Sequence, residues 1–141
     1  MRHTLCKAER ISSKITIERL FSSGNKSMLA FPLRAVYVRQ KRLPGEPPVA
    51  VMMSVSKRHF KHAVDRNRVK RQLREAYRLN KQILTSHFSG KPDESIQIAF
   101  IWLADNHEKS EVVHRKLVNL LNRIAEREFR EPNTWADETA E

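Results

Sequence analysis

The sequence predicts an α/β (α+β) two-layer sandwich, a small sheet with helices packed on it, and three observations support this. Apolar periods near 2 and near 3.6 alternate along the chain in the order α-β-β-α-β-α. A length of 141 residues with 40% hydrophobic content suits one modest core. No repeat and no long linker divides the chain, so residues 1–130 read as a single domain and 131–141 as a disordered acidic tail.

The first element is a short helix. Ser12 or Ser13 offers a cap, and Ile17, Leu20 and Phe21 share one face before Ser22-Ser23-Gly24-Asn25 ends it. Phe31 to Gln40 alternates as a strand, with Leu33, Ala35 and Tyr37 on one face and Arg34, Val36 and Val38 on the other. Three prolines and one glycine in residues 41–48 then require an exposed turn. Val49 to Ser56 is apolar on both faces, which predicts the central strand of the sheet. After Gly90-Lys91-Pro92, Ile96 to Trp102 mixes β-branched and aromatic residues as a third strand. Ser110 to Phe129 is a long amphipathic helix with Val113, Leu117, Leu120, Leu121 and Ile124 as its stripe. From Glu126 onward six acids face two bases, and Pro132 forbids further helix.

Between the second and third strands, residues 57–81 hold ten Lys and Arg against two acids, Asp65 and Glu75. That segment therefore carries +8 of the total +11, and the rest of the chain only +3. It also has helical period. Val69, Leu73, Ala76, Asn80 and Ile83 line one side, flanked by Tyr77 and Leu84. Asn67, Lys70, Arg71, Arg74, Arg78 and Lys81 fall opposite. A merely solvated face mixes charge signs through i, i+4 pairs, and here Glu75 alone interrupts. Such repulsion is relieved by a polyanion, which with a pI near 10.3 points to nucleic acid. Arg66 and Arg68 flank Asn67 near the helix start, where unpaired N–H groups and the helix dipole also favour phosphate.

Other functions find little support. No HExxH, phosphate-cradling glycine loop, Cys/His quartet or apolar carboxylate pair occurs, so no catalytic or metal-ligating residue is assigned. His59 and His62 read as additional RNA-facing donors among the cations. The lone Cys6 excludes an intrachain disulfide and fits a reducing compartment. The longest apolar run, residues 49–55, is far below the roughly 20 needed to span a bilayer, and no signal peptide is visible, so a cytoplasmic protein with no membrane partner is expected.

The run Ser54 to Arg78 resembles the signature of the bacterial ribonuclease P protein component: a strand ending in S-x-S-K, a connector, then A-V-x-R-N-R-x-K-R-x-x-R-x-x-[FY]. It matches at Ala63, Val64, Arg66, Asn67, Arg68, Lys70, Arg71, Arg74 and Tyr77. The similarity extends more weakly over roughly residues 8 to 125. It implies a mostly antiparallel sheet with a left-handed β-α-β crossover, against the general right-handed rule. It implies that Arg66, Asn67, Arg68, Lys70, Arg71 and Arg74 meet ribonuclease P RNA, and Lys57, Arg58 and Arg78 of the same basic segment are expected to bind RNA with them. A second surface, a cleft holding the 5′ leader of precursor tRNA, is implied at Ile17, Phe21 and Tyr37. Mg²⁺ is expected mainly on the RNA, which performs the cleavage, and no obligate protein partner is evident. Two positions depart from the pattern: Lys61-His62 stand where Gly is common, and Ile17 where an aromatic is common. On composition alone a structural ribosomal RNA-binding protein is the alternative; a DNA-reading helix and a self-sufficient metal nuclease lack the residues they need.

Overall fold

Four strands form one sheet in the computed structural model, whose described residues are 26–42, 47–88 and 93–129. They are β1 (Lys26–Ala30), β2 (Leu33–Lys41), β3 (Val49–Val55) and β4 (Glu94–Trp102), in the order β1-β2-β4-β3. β1 with β2 and β2 with β4 run antiparallel, while β3 and β4 run parallel. A parallel pair needs a long crossover. Here it contains α1 (Ala63–Asn80), the one-turn α2 (Gln82–Thr85) and a 3₁₀ turn, Ser86–Phe88. Helix α3 (Ser110–Phe129) closes the described chain. The mixed α+β class is as expected. The first predicted helix and the acidic tail lie outside the described residues.

Two strand expectations are corrected. The sheet has a fourth strand, β1, which forms a hairpin with β2, and Phe31 and Pro32 are the turn between them rather than the start of β2. Val49–Val55 is an edge strand, and β4 is central. Ala50, Met52 and Ser54 on the outer face of β3 are only half-buried, so its apolar text reflects one core face plus small or flexible residues. β4 is buried on both faces from Ser95 to Phe100, and a strand is hydrogen-bonded along each of its edges.

Register decides which side chains meet. Leu33, Ala35 and Tyr37 stand beside Trp102, Phe100 and Ile98, which in turn stand beside Val55, Met53 and Val51. This face packs against Val69, Leu73, Ala76 and Tyr77 of α1 and Val113, Leu117, Leu120, Leu121 and Ile124 of α3. Each large side chain removed from water there contributes about 1.5–3 kcal/mol.

A polar network fastens the end of α3 to the hairpin. The buried Glu128 carboxylate accepts from Lys26 Nζ at 2.6 Å and from the Tyr37 hydroxyl at 2.8 Å, and Arg39 Nη1 lies 3.6 Å away. Arg39 also donates to the Glu128 carbonyl, pairs with Glu94 and lies over the Phe129 ring at 4.9 Å. Burial alone would raise the Glu128 pKa. The hydrogen bonds from Lys26 and Tyr37 and the charges of Lys26 and Arg39 outweigh it and hold the carboxyl below its ordinary range. Tyr37 is pushed far up by burial, then by its bond to Glu128 and that residue's charge, against a smaller opposing effect of Arg127.

Candidate nucleic-acid interface

Helix α1 is a rod with one apolar side. Val69, Leu73, Ala76 and Tyr77 face the sheet and are buried. The stripe is turned slightly from expectation: Tyr77 and Leu84 are core, whereas Asn80 and Ile83 are half-buried. Asn80 donates to the Ala76 carbonyl and meets His114 of α3 at 3.1 Å, which anchors this end. Lys81, expected on the cationic side, is instead buried just where α1 gives way to α2.

The remaining cations divide by partner. Arg78 forms a two-pronged pair with Glu75, at 2.9 and 2.7 Å, and is not available as a bare charge. Arg66 turns back on the connector and donates to the carbonyls of Phe60 and Lys61, each at 2.9 Å. Arg68, Lys70, Arg71 and Arg74 have no hydrogen bond or ion pair among the described residues, and all but the half-buried Lys70 are exposed. Lys57, Arg58, Lys61 and Asn67 are exposed likewise. The structure thus separates the sequence-predicted residues into a presenting set and two, Arg66 and Arg78, that are engaged within the protein.

The connector that positions this set is a single tight turn. The Ser56 carbonyl accepts from the N–H groups of His59 and Phe60, and Ser56 Oγ accepts from the N–H of Arg58. Phe60 is buried in the core and pins the connector down. His62 begins the helix at φ −92°, ψ 137°, and no described non-glycine residue has positive φ. Lys61-His62 therefore needs no glycine: the connector reaches α1 through ordinary extended backbone.

Two expectations change. Tyr37 is fully buried against α3 with its hydroxyl taken by Glu128, and a ring without exposed surface cannot stack on a base. Ile17 and Phe21, the other two cleft residues, lie outside the described residues. His59 is not a bare RNA-facing donor, because its Nδ1 meets Asp105 Oδ1 at 2.7 Å. Sequence reading missed His107, which meets Asp65 across 42 positions; no local pattern announces such a pair. Among the described residues no three His, Cys, Asp or Glu side chains gather as a metal site.

A cationic helix backed by a four-stranded α+β core defines a protein built to hold a polyanion. The chain belongs to the ribonuclease P protein family, whose model, Ribonuclease P, matches residues 5–125. It is 40% identical over 124 residues to the ribonuclease P protein component of Porphyromonas gingivalis, covering 86% of each chain. It is 38% identical over 107 residues to that of Chlorobaculum tepidum, covering 72% of this chain and 69% of the relative. The fold is similar to that of the ribonuclease P protein from Thermotoga maritima, with a TM-score of 0.63 at 22% identity over 82% of this chain and 96% of the other. Membership makes it the protein part of a ribonucleoprotein endoribonuclease serving tRNA 5′ maturation, which sets aside the ribosomal alternative.

Proposed function

We propose that this chain docks on ribonuclease P RNA through the outer side of α1 and helps it hold precursor tRNA by the 5′ leader. The observation that supports docking is the set Arg68, Lys70, Arg71 and Arg74, without partners among the described residues on a helix whose other side is core. Arginine forks grip phosphate oxygens in fixed orientation, and lysine adds a mobile point charge. Docking these groups on RNA removes their mutual repulsion and releases counterions from the RNA.

The leader would run along a separate surface. Ile17 and Phe21 are its residues by resemblance, and we assign the exposed Arg34 to it in place of the buried Tyr37. Arg34 is exposed on the sheet face turned away from α1 and α3, where it lies 3.5 Å from Ser27 Oγ. A cation and a stacking ring such as Phe21 suit a single strand without demanding a particular sequence. Mg²⁺ belongs to the RNA in this reading and supplies the nucleophile and leaving-group stabilisation there. The described residues contain no helix long and apolar enough to cross a membrane, in keeping with work in the cytoplasm.

Cleavage of precursor tRNA by ribonuclease P RNA at low Mg²⁺, with and without this protein, tests the proposal. The protein should lower the Mg²⁺ required, and unchanged cleavage would refute it. Phe21→Ala should weaken leader-dependent substrate affinity while sparing binding to the RNA subunit. Equal losses in the two assays would argue against separate surfaces.

A further inference from the structure

Asp65 sits in the first turn of α1, three residues before Arg68. The same helix shows what that spacing does when nothing intervenes: Glu75 and Arg78, also three apart, close into a two-pronged ion pair. Arg68 nevertheless has no partner among the described residues, and Asp65 is contacted from another element. His107 Nε2 meets Asp65 Oδ1 at 3.1 Å. A carboxylate only accepts, so Nε2 carries the proton in this contact.

The imidazole is itself held in place. Its ring stacks on the buried Phe60, with centroids 4.5 Å apart and planes inclined by 22°. Its segment is tied to the helix and connector on both sides. Asp105 pairs with His59, and the Glu108 carbonyl accepts from Gln72 of α1 at 3.0 Å. The stretch between β4 and α3 therefore holds His107 against the start of the cationic helix.

We propose that His107 is a positioning residue for RNA binding: it sequesters the Asp65 carboxylate and so keeps the Arg68 guanidinium open to phosphate. This rests on the reading that α1 docks on ribonuclease P RNA. Without His107, the carboxylate turns along the helix and captures Arg68 as Glu75 captures Arg78.

The test measures binding of the full-length protein to ribonuclease P RNA across a salt series. His107→Ala should weaken binding roughly three- to tenfold, the net worth of about one ordinary hydrogen bond. It should also flatten the log–log salt slope by about 0.7–0.9, the loss of one phosphate contact. Adding Asp65→Asn to His107→Ala should restore both values, because no charge remains to capture Arg68. In an Arg68→Ala background, His107→Ala should have no further effect on the slope. His107→Ala with wild-type affinity and slope would overturn the proposal, as would a double variant no better than the single one. Thermal melting separates lost folding from lost contact, since Asp65→Asn cannot rescue a chain that has failed to fold. A wild-type slope near zero would instead defeat the docking reading itself.

Discussion

At the scale of single residues, the interface is decided by competition for guanidinium groups. Arginine presented to RNA must first escape the protein's own acceptors, and the basic segment carries only two acids, Glu75 and Asp65. Glu75 pairs with Arg78, Arg71 and Arg74 have no acid partner among the described residues, and Asp65 meets His107. Two adjacent-looking substitutions should therefore behave differently. Arg74→Ala removes a presented charge: RNA affinity should fall and the salt slope flatten by about 0.7–0.9, with unfolding unchanged. Arg66→Ala strips the Phe60 and Lys61 carbonyls of their donor and should cost about 1–3 kcal/mol of stability in denaturant unfolding. Equal unfolding curves for the two variants would show that Arg66 has no structural duty.

At the scale of elements, α3 is secured to the hairpin by Glu128, and this gives the fold a defined acid sensitivity. A carboxyl whose pKa is lowered in the folded state adds stability above its unfolded value, 4.5, and loses it as pH falls through the lower folded value. Glu128→Gln should cost about 1–3 kcal/mol at neutral pH and should also lose less stability than the wild type as pH falls through the ordinary carboxyl value and below it. Parallel melting-temperature profiles for the two proteins would exclude this role. Element patterns were unevenly legible in the sequence. The bounds Ser110–Phe129 could be read directly because an uninterrupted stripe spans the whole helix. β1 was invisible because Lys26, Ser27 and Leu29 are exposed, leaving only Met28 and Ala30 to mark a face. The edge position of β3 was hidden for the opposite reason: Ala50 and Met52 look apolar in the text yet stand half-exposed. Tyr37 was placed in the cleft by resemblance; strand alternation put it correctly with Leu33 and Ala35, but does not tell which helix covers that face. His107 required the fold itself, since its partner is contributed by another element.

At the scale of the whole molecule, charge is separated from core by the thickness of one helix. The sheet and α3 bury the apolar side of α1, and the opposite side carries Arg68, Lys70, Arg71 and Arg74, with Lys57 and Arg58 in the connector just before it. A rigid backing matters because it presents the cations without an ordering penalty at the moment of binding. If these six groups meet phosphates, the affinity for ribonuclease P RNA should follow a log–log salt slope of about −4 to −5. The most direct measurement compares that slope for the wild type with the slope for a variant in which Arg68, Lys70, Arg71 and Arg74 are all replaced by Gln. The variant should fold normally and its slope should be shallower by about 3. Equal slopes for the two proteins would contradict the assignment of the α1 face as the RNA-binding surface.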